Sequence, residues 1–307
     1  MAIYEGEHLT TNEIPQQSAI ALRMIFACVN DAGVPAETID LLRDACMDRN
    51  IAFLEVNARE FDYDPSRRLV AGDLMYRSAT SMAAIRVEQF LYAPGVATFY
   101  MGADDRLFFI ATTQWLHFQR AGLLVPETLF CAAMNRPRLD GWVARLGGFP
   151  ILAKMGGSAG IGVILIDSPS GLYSFVDYAL SLGRQPALTR YIRDAVHWRV
   201  VVVGGRVIAA FTTEAPPGDF RAHAHNRAGS FTDSPPAAIA TLAIDAVRVT
   251  RLEFGGVDIL ERSDGCYVLE SNFPCYFARA QVAGGIDTAG AMVDHLMHKA
   301  AGTSDSN

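Results

Sequence analysis

The 307-residue chain has no basic block: lysine and arginine together number 26 against 33 aspartates and glutamates, for a formal charge of −7 and a pI near 5.5. With no RNA-reading motif either, that balance argues against a nucleic-acid partner, which demands a positive face. A secretory signal is not expected either, because the opening MAIYEGEHLTTNEIPQQ is acidic and polar. Purely aliphatic runs such as 200–203 are far too short to cross a bilayer, so no membrane partner is expected. No Cys-x-x-Cys pair occurs. Five dispersed cysteines, Cys28, Cys46, Cys131, Cys266 and Cys275, read as reduced thiols of a cytoplasmic protein. Repeats and low-complexity tracts are absent. Half the residues are hydrophobic and 10% aromatic, which excludes global disorder and supplies core enough for two or three lobes.

What is present first is a glycine loop. Residues 153–166 read AKMGGSAGIGVILI. A Rossmann fingerprint would open a helix, and a P-loop would carry its lysine after the glycines. Here Lys154 precedes them, and the β-branched run after Gly162 reads as a strand. The stretch is therefore a hairpin able to fold down over a ligand.

Around it, 24–29 and 51–56 read as strands flanking a helix at 38–50, with a third strand at 73–77, a small open α/β lobe running to residue 103. Helical spacing follows at 105–119. Strands are expected at 149–155, 162–167 and 187–192, with a helix at 173–182. Beyond, 197–203 and 206–213 form a hairpin about Gly204-Gly205, a turn that wants glycine. Helices are expected at 237–253 and 288–299, and the tail GTSDSN is expected to be disordered. The units are then 1–103, 104–190 and 191–307.

The hairpin GVDILERSDGCYVLESN carries oxygen-bearing side chains at informative spacing. Glu270 and Asn272, two apart on a strand, share a face. A three-residue loop 263–265, with Gly265 in the left-handed region, sets Asp258 directly opposite Glu270. Facing carboxylates repel. A divalent cation relieves that, and oxygen ligands few in number suit Mg2+ shared with nucleotide phosphates. A solvated hairpin face with a few acids is the plainer alternative.

Together these segments resemble the ATP-grasp superfamily, most closely its RimK-type carboxylate–amine ligases. The resembling stretches are FPILAKMGGSAGIGV, RYIRDAVHWRVVVVGGRVIAAF, APPGDFRAH, GVDILERSDGCYVLESN and GGIDTAGAMVDHL, in the family's order across residues 100–300. The resemblance implies an α/β (α+β) ATP-grasp fold, a small N-terminal lobe followed by two α+β subdomains that clamp ATP. It implies phosphate contacts from Arg106 and Lys154, and a closing loop of Gly157, Ser158, Gly160 and Gly162. It further implies adenine and ribose contacts at Arg190, Tyr191, Ile192 and Asp194, catalytic roles for Arg199 and Arg221 facing phosphoryl and acyl groups, and two Mg2+ ions held by Asp258, Glu270 and Asn272. The implied reaction joins a carboxylate to an amine through an acyl phosphate, the substrates being small molecules or peptides. Modification or cyclisation of a ribosomally made peptide, and an ATP-binding regulatory module without catalysis, are the rivals, and homo-oligomer formation is left open.

Several positions depart from the family pattern. Arg106 stands for a lysine, His197 for an acid, Thr213 and Pro216 for basic residues, and Phe273-Pro274-Cys275-Tyr276 for a small turn. They bear on substrate identity more than on ATP use. His223 and His225 alternate but lack a third metal ligand, and His295 and His298 read as an exposed helix pair.

Overall fold

The computed structural model describes residues 24–64, 68–102, 104–105, 114–155, 162–221 and 227–304. The polar leader, Arg106, Gly157, Ser158, Gly160, His223, His225 and the last three residues lie outside the described residues.

The first sheet is parallel, in the order β2-β1-β3, from β1 (Ile25–Asn30), β2 (Ala52–Asn57) and β3 (Leu74–Arg77). β1 is an unbroken apolar run because helices cover both faces of such a sheet. α1 (Ala36–Met47) makes the crossover to β2 and buries Ile39, Leu42 and Cys46 at helical spacing. α2 (Met82–Leu91), not foreseen from the sequence, starts where the Ser81 hydroxyl accepts a hydrogen bond from the Ala84 amide.

The second sheet is antiparallel, in the order β4-β7-β5-β6, from β4 (Thr128–Phe130), β5 (Ile151–Lys154), β6 (Val163–Ile166) and β7 (Ala187–Arg190). Lys154 pairs with Val163 across the glycine hairpin, as its sequence suggests. α3 (Gln114–Arg120) precedes this sheet, and α4 (Arg136–Arg145) and α5 (Pro169–Ser181) pack within it. The helix expected at 105–119 is described only from Gln114 onward.

The third sheet is antiparallel, in the order β10-β9-β8-β11-β12, from β8 (Val196–Val203), β9 (Arg206–Glu214), β10 (Arg227–Thr232), β11 (Phe254–Arg262) and β12 (Gly265–Asn272). Gly204 and Gly205 turn β8 into β9 with φ of 57° and 73°, the paired positive values a two-residue hairpin requires. A Cβ on Gly204 would also lie 2.5 Å from the His295 ring of α8 (Thr288–Ser304). α6 (Ala237–Val249) ends four residues earlier than its apolar spacing suggests. Arg251 takes a φ of 62°, and the amide of Glu253 turns to donate to the carbonyl of Phe99 in the first lobe. The short α7 (Ala278–Val282) and strands β4 and β10 were not legible in advance.

One continuous core joins the first lobe to the third sheet. Tyr76, Phe99, Phe254, Phe273 and Phe277 contact one another edge-on or tilted, with centroids 5.0–6.3 Å apart. The second sheet has its own core around Leu139, Ile151, Leu172 and Leu188. The second sheet thus has a core separate from the one shared by the first lobe and the third sheet.

Candidate functional site

The site lies on one face of the third sheet, where pairing sets cation, acid and acid in a row. Arg199 of β8 is the register partner of Asp258 on β11, and Asp258 is the partner of Glu270 on β12. The opposition of the two acids holds, but the loop expected to cause it does not. Arg262 pairs with Gly265, so the loop has two residues, Ser263 and Asp264, and Gly265 sits on the strand at a φ of 150°. The register instead shifts between Asp258 and Ile259, whose partners are Glu270 and Val268. Leu269 is the extra residue of a β-bulge, and the bulge turns Glu270 onto the face of Asp258.

Asp258 is buried, and its Oδ2 accepts hydrogen bonds from Arg199 Nη1 at 2.8 Å and Asn272 Nδ2 at 3.1 Å. The same Asn272 nitrogen donates to Glu270 Oε1 at 3.0 Å. A single donor therefore bridges the two acids. Burial, more than any partner, raises the pKa of Asp258, with Arg199 pulling the other way. Glu270 has an exposed edge, yet crowding by protein and then the charge of Asp258 raise its pKa too. Arg199 is buried, and burial works against its charge, but Asp258 overcomes this and holds its pKa above the ordinary value. Room for its planar fork comes from Gly256, where a Cβ would lie 2.5 Å from Arg199 Nη2.

Lys154 reaches this row from the second sheet. Burial lowers its pKa, and the negative charge of Glu270 partly offsets that. The lysine before the glycine loop and the acidic hairpin, 116 residues apart in sequence, are thus electrostatic neighbours. Composition held a further signal: Lys154 is one of only two lysines in the chain.

The remaining sequence-derived residues are placed less centrally. Arg221 ion-pairs with Asp219, two residues earlier, through Nε at 2.9 Å and Nη2 at 2.7 Å, and that contact holds the Asp219 carboxyl well below its usual range. Arg190 ends β7, and Tyr191, Ile192 and Asp194 form the connection to β8, with Ile192 buried and Asp194 at a φ of 54°. Gly162 lies just before β6 at a φ of 79°.

Two features went unseen in the sequence. Gln114 of α3 is buried; its side-chain amide donates to the Ser271 carbonyl at 2.7 Å and accepts from the Ser271 amide at 3.1 Å. β12 is the edge of its sheet, and this pair seals it between Glu270 and Asn272. The other is that the departures at His197 and Thr213 are one unit. The two are register partners, and His197 Nδ1 shares a short hydrogen bond with the Thr213 hydroxyl.

The donor chemistry fits a hard divalent cation: two carboxylates and an amide, oxygen ligands of the kind Mg2+ takes. Asp258 Oδ1 is buried and has no hydrogen-bond partner among the described residues, an orphan that a native fold rarely tolerates without cause. No group of three or more His, Cys, Asp or Glu among the described residues is arranged to hold a metal ion.

Comparison with known proteins bears on the family and the fold. The family model of the RimK-like ATP-grasp domain matches residues 119–296, more than half of the chain. The "probable alpha-L-glutamate ligase 2" of Pseudoalteromonas atlantica is 32% identical over 185 residues, 59% of this chain and 60% of that one. The chain thus spans about 60% of the length of curated relatives such as this one. In fold it resembles the RimK domain ATP-grasp protein from Sphaerobacter thermophilus, with a TM-score of 0.63 at 20% identity over 88% of this chain and 98% of that one. The ATP-grasp ligase PsnB complexed with minimal precursor, Mg and ADP gives a TM-score of 0.68 at 16% identity over 90% and 97% of the two chains. The mixed α+β architecture of three sheets is that of ATP-grasp ligases. No helix among the described residues is long and apolar enough to cross a membrane. By the length of the family match and the shared architecture, this chain belongs to the RimK-like ATP-grasp family.

Proposed function

We propose that the protein is an ATP-dependent ligase that joins a carboxylate to an amine through an acyl phosphate. The observation that carries this reading is the Arg199–Asp258–Glu270 row with Lys154 as its electrostatic neighbour, a buried acid and an exposed one held among cations from two sheets. In this reading Asp258, Glu270 and Asn272 hold Mg2+, as one ion or two. The bound metal supplies charge neutralisation for the transferring phosphoryl group.

The chain's own groups do the rest. Arg199 is charged at every working pH and fixed by Asp258, so it needs no reorganisation to meet negative charge developing on the phosphoryl and acyl oxygens. Lys154 follows the glycine hairpin as it closes, bringing a cation and excluding water that would hydrolyse the activated acid. Tyr191 and Ile192, in the connection between β7 and β8, are assigned to adenine through their backbone groups. Arg106, Gly157, Ser158, Gly160 and Gly162 are assigned to the phosphates, Arg190 and Asp194 to the nucleoside, and Arg221 to the acyl side once it leaves Asp219. The substrate carboxylate oxygen forms a bond to the γ-phosphorus as the bond to ADP breaks. The amine then attacks the carbonyl carbon, phosphate leaves, and the amine proton passes to solvent. The three sheets fall within 1–103, 104–190 and 191–307, which we take as the lobes.

The relative's name points to an amino acid such as glutamate as a substrate. The fold match to PsnB, complexed with a precursor, favours a second reading in which the substrate is a ribosomally made peptide. The test is phosphate release from ATP with panels of amino acids and of acidic peptides, one acid carrying 18O in its carboxylate. Release that needs both acid and amine, with one 18O appearing in phosphate, is the expected result. ATP binding without acceptor-dependent release would instead identify a regulatory module.

A further inference from the structure

His197 is 3% exposed and Thr213 4%, yet neither is merely packed in the core. Their side chains share a short hydrogen bond through His197 Nδ1. The other ring nitrogen, Nε2, faces Asp258 Oδ1 at 3.4 Å. That oxygen is the orphan: buried, without a hydrogen bond among the described residues, while Oδ2 takes both Arg199 and Asn272. When the Thr213 hydroxyl donates to Nδ1, the ring proton sits on Nε2, pointing at Asp258.

We propose that His197, its ring held through Nδ1 by Thr213, is a positioning residue for Asp258: it faces Oδ1 and so limits rotation of the carboxylate. This rests on the reading that Asp258 ligates a divalent cation. A carboxylate rotates about its Cβ–Cγ bond unless both oxygens meet fixed partners. Arg199 and Asn272 hold Oδ2, and the imidazole stands 3.4 Å from Oδ1. Partners that orient a metal ligand in this way are worth roughly 10–100-fold in metal affinity. Arg199 shares the anchoring here, so the lower end of that range applies.

The test measures Mn2+ binding by electron paramagnetic resonance with ADP present, in the wild type and in Thr213→Val, Thr213→Ser and His197→Leu. Thermal midpoints of all four are recorded in parallel. The expected result is a loss of about 10-fold in Mn2+ affinity for Thr213→Val and at least as much for His197→Leu. Thr213→Ser, which keeps the hydroxyl, stays within about 2-fold of wild type, well under that loss. Unchanged affinity in folded Thr213→Val and His197→Leu overturns the inference alone. An equal loss in Thr213→Ser assigns the effect to packing and also overturns it. If the wild type itself shows no ADP-dependent Mn2+ site, the functional reading falls, and this inference with it.

Discussion

Glu270→Gln is expected to raise the thermal midpoint of the ligand-free protein and to cut acceptor-dependent turnover by at least about 10²-fold. The two effects share one cause. Without a cation, Glu270 faces Asp258 across the strand pair, and crowding and that charge raise its pKa above the ordinary glutamate value. A carboxyl whose folded pKa is raised contributes stability at low pH that is lost as pH climbs through the raised value. Glutamine cannot ionise, so it removes the repulsion and keeps a hydrogen bond to Asn272. The variant's stability advantage is therefore absent below the ordinary glutamate range and grows as pH rises toward neutrality. Turnover moves the opposite way, because the charge that destabilises the empty site is the one the cation and triphosphate need. Scanning calorimetry from pH 4 to 8, alongside phosphate release, checks both halves. A variant no more stable at pH 7 than the wild type would contradict the electrostatic account.

Arg199→Met is expected to lower turnover by about 10³-fold or more, the scale on which an arginine acts at a transferring phosphoryl group. It is also expected to destabilise the fold by about 3–5 kcal/mol, since Asp258 is left buried without its strongest partner. Arg199→Lys does not restore activity: the cavity is shaped for a planar fork by the missing Cβ of Gly256, and an ammonium cannot bridge the same atoms. In Arg199→Met/Asp258→Leu both buried charges go. The double variant is then more stable than Arg199→Met while remaining inactive. Urea midpoints and single-turnover rates separate the two consequences. If the double variant loses the sum of the single losses, the ion pair is not what each residue contributes.

Much of this was legible in the sequence, for physical reasons that differ by element. Apolar runs marked β1, β8, β9 and β11, and period-3.6 spacing marked α1, because those elements bury large continuous surfaces. β4, with three residues none of them buried, and β10, with none buried, carry no such pattern, and they escaped notice. α6 was overextended because helical spacing says nothing about the pull of the Glu253 amide toward Phe99, a contact made only in the folded chain. At the site, the same-face spacing of Glu270 and Asn272 was local and readable. The opposition of Asp258 and Glu270 came out right for the wrong reason, since a bulge at Leu269 gives the same register as a longer loop. Gln114 was invisible because its partner is a backbone 157 residues away. Likewise, His197 and Thr213 each looked like an isolated departure until β8 and β9 set them side by side.

The most direct test of the central claim is anomalous diffraction from crystals grown with Mn2+ and ADP. The expected result is a manganese peak bounded by Asp258, Glu270 and Asn272, with Lys154 turned toward the nucleotide phosphates. Bound ADP with manganese elsewhere, and those three side chains left facing one another, would contradict it.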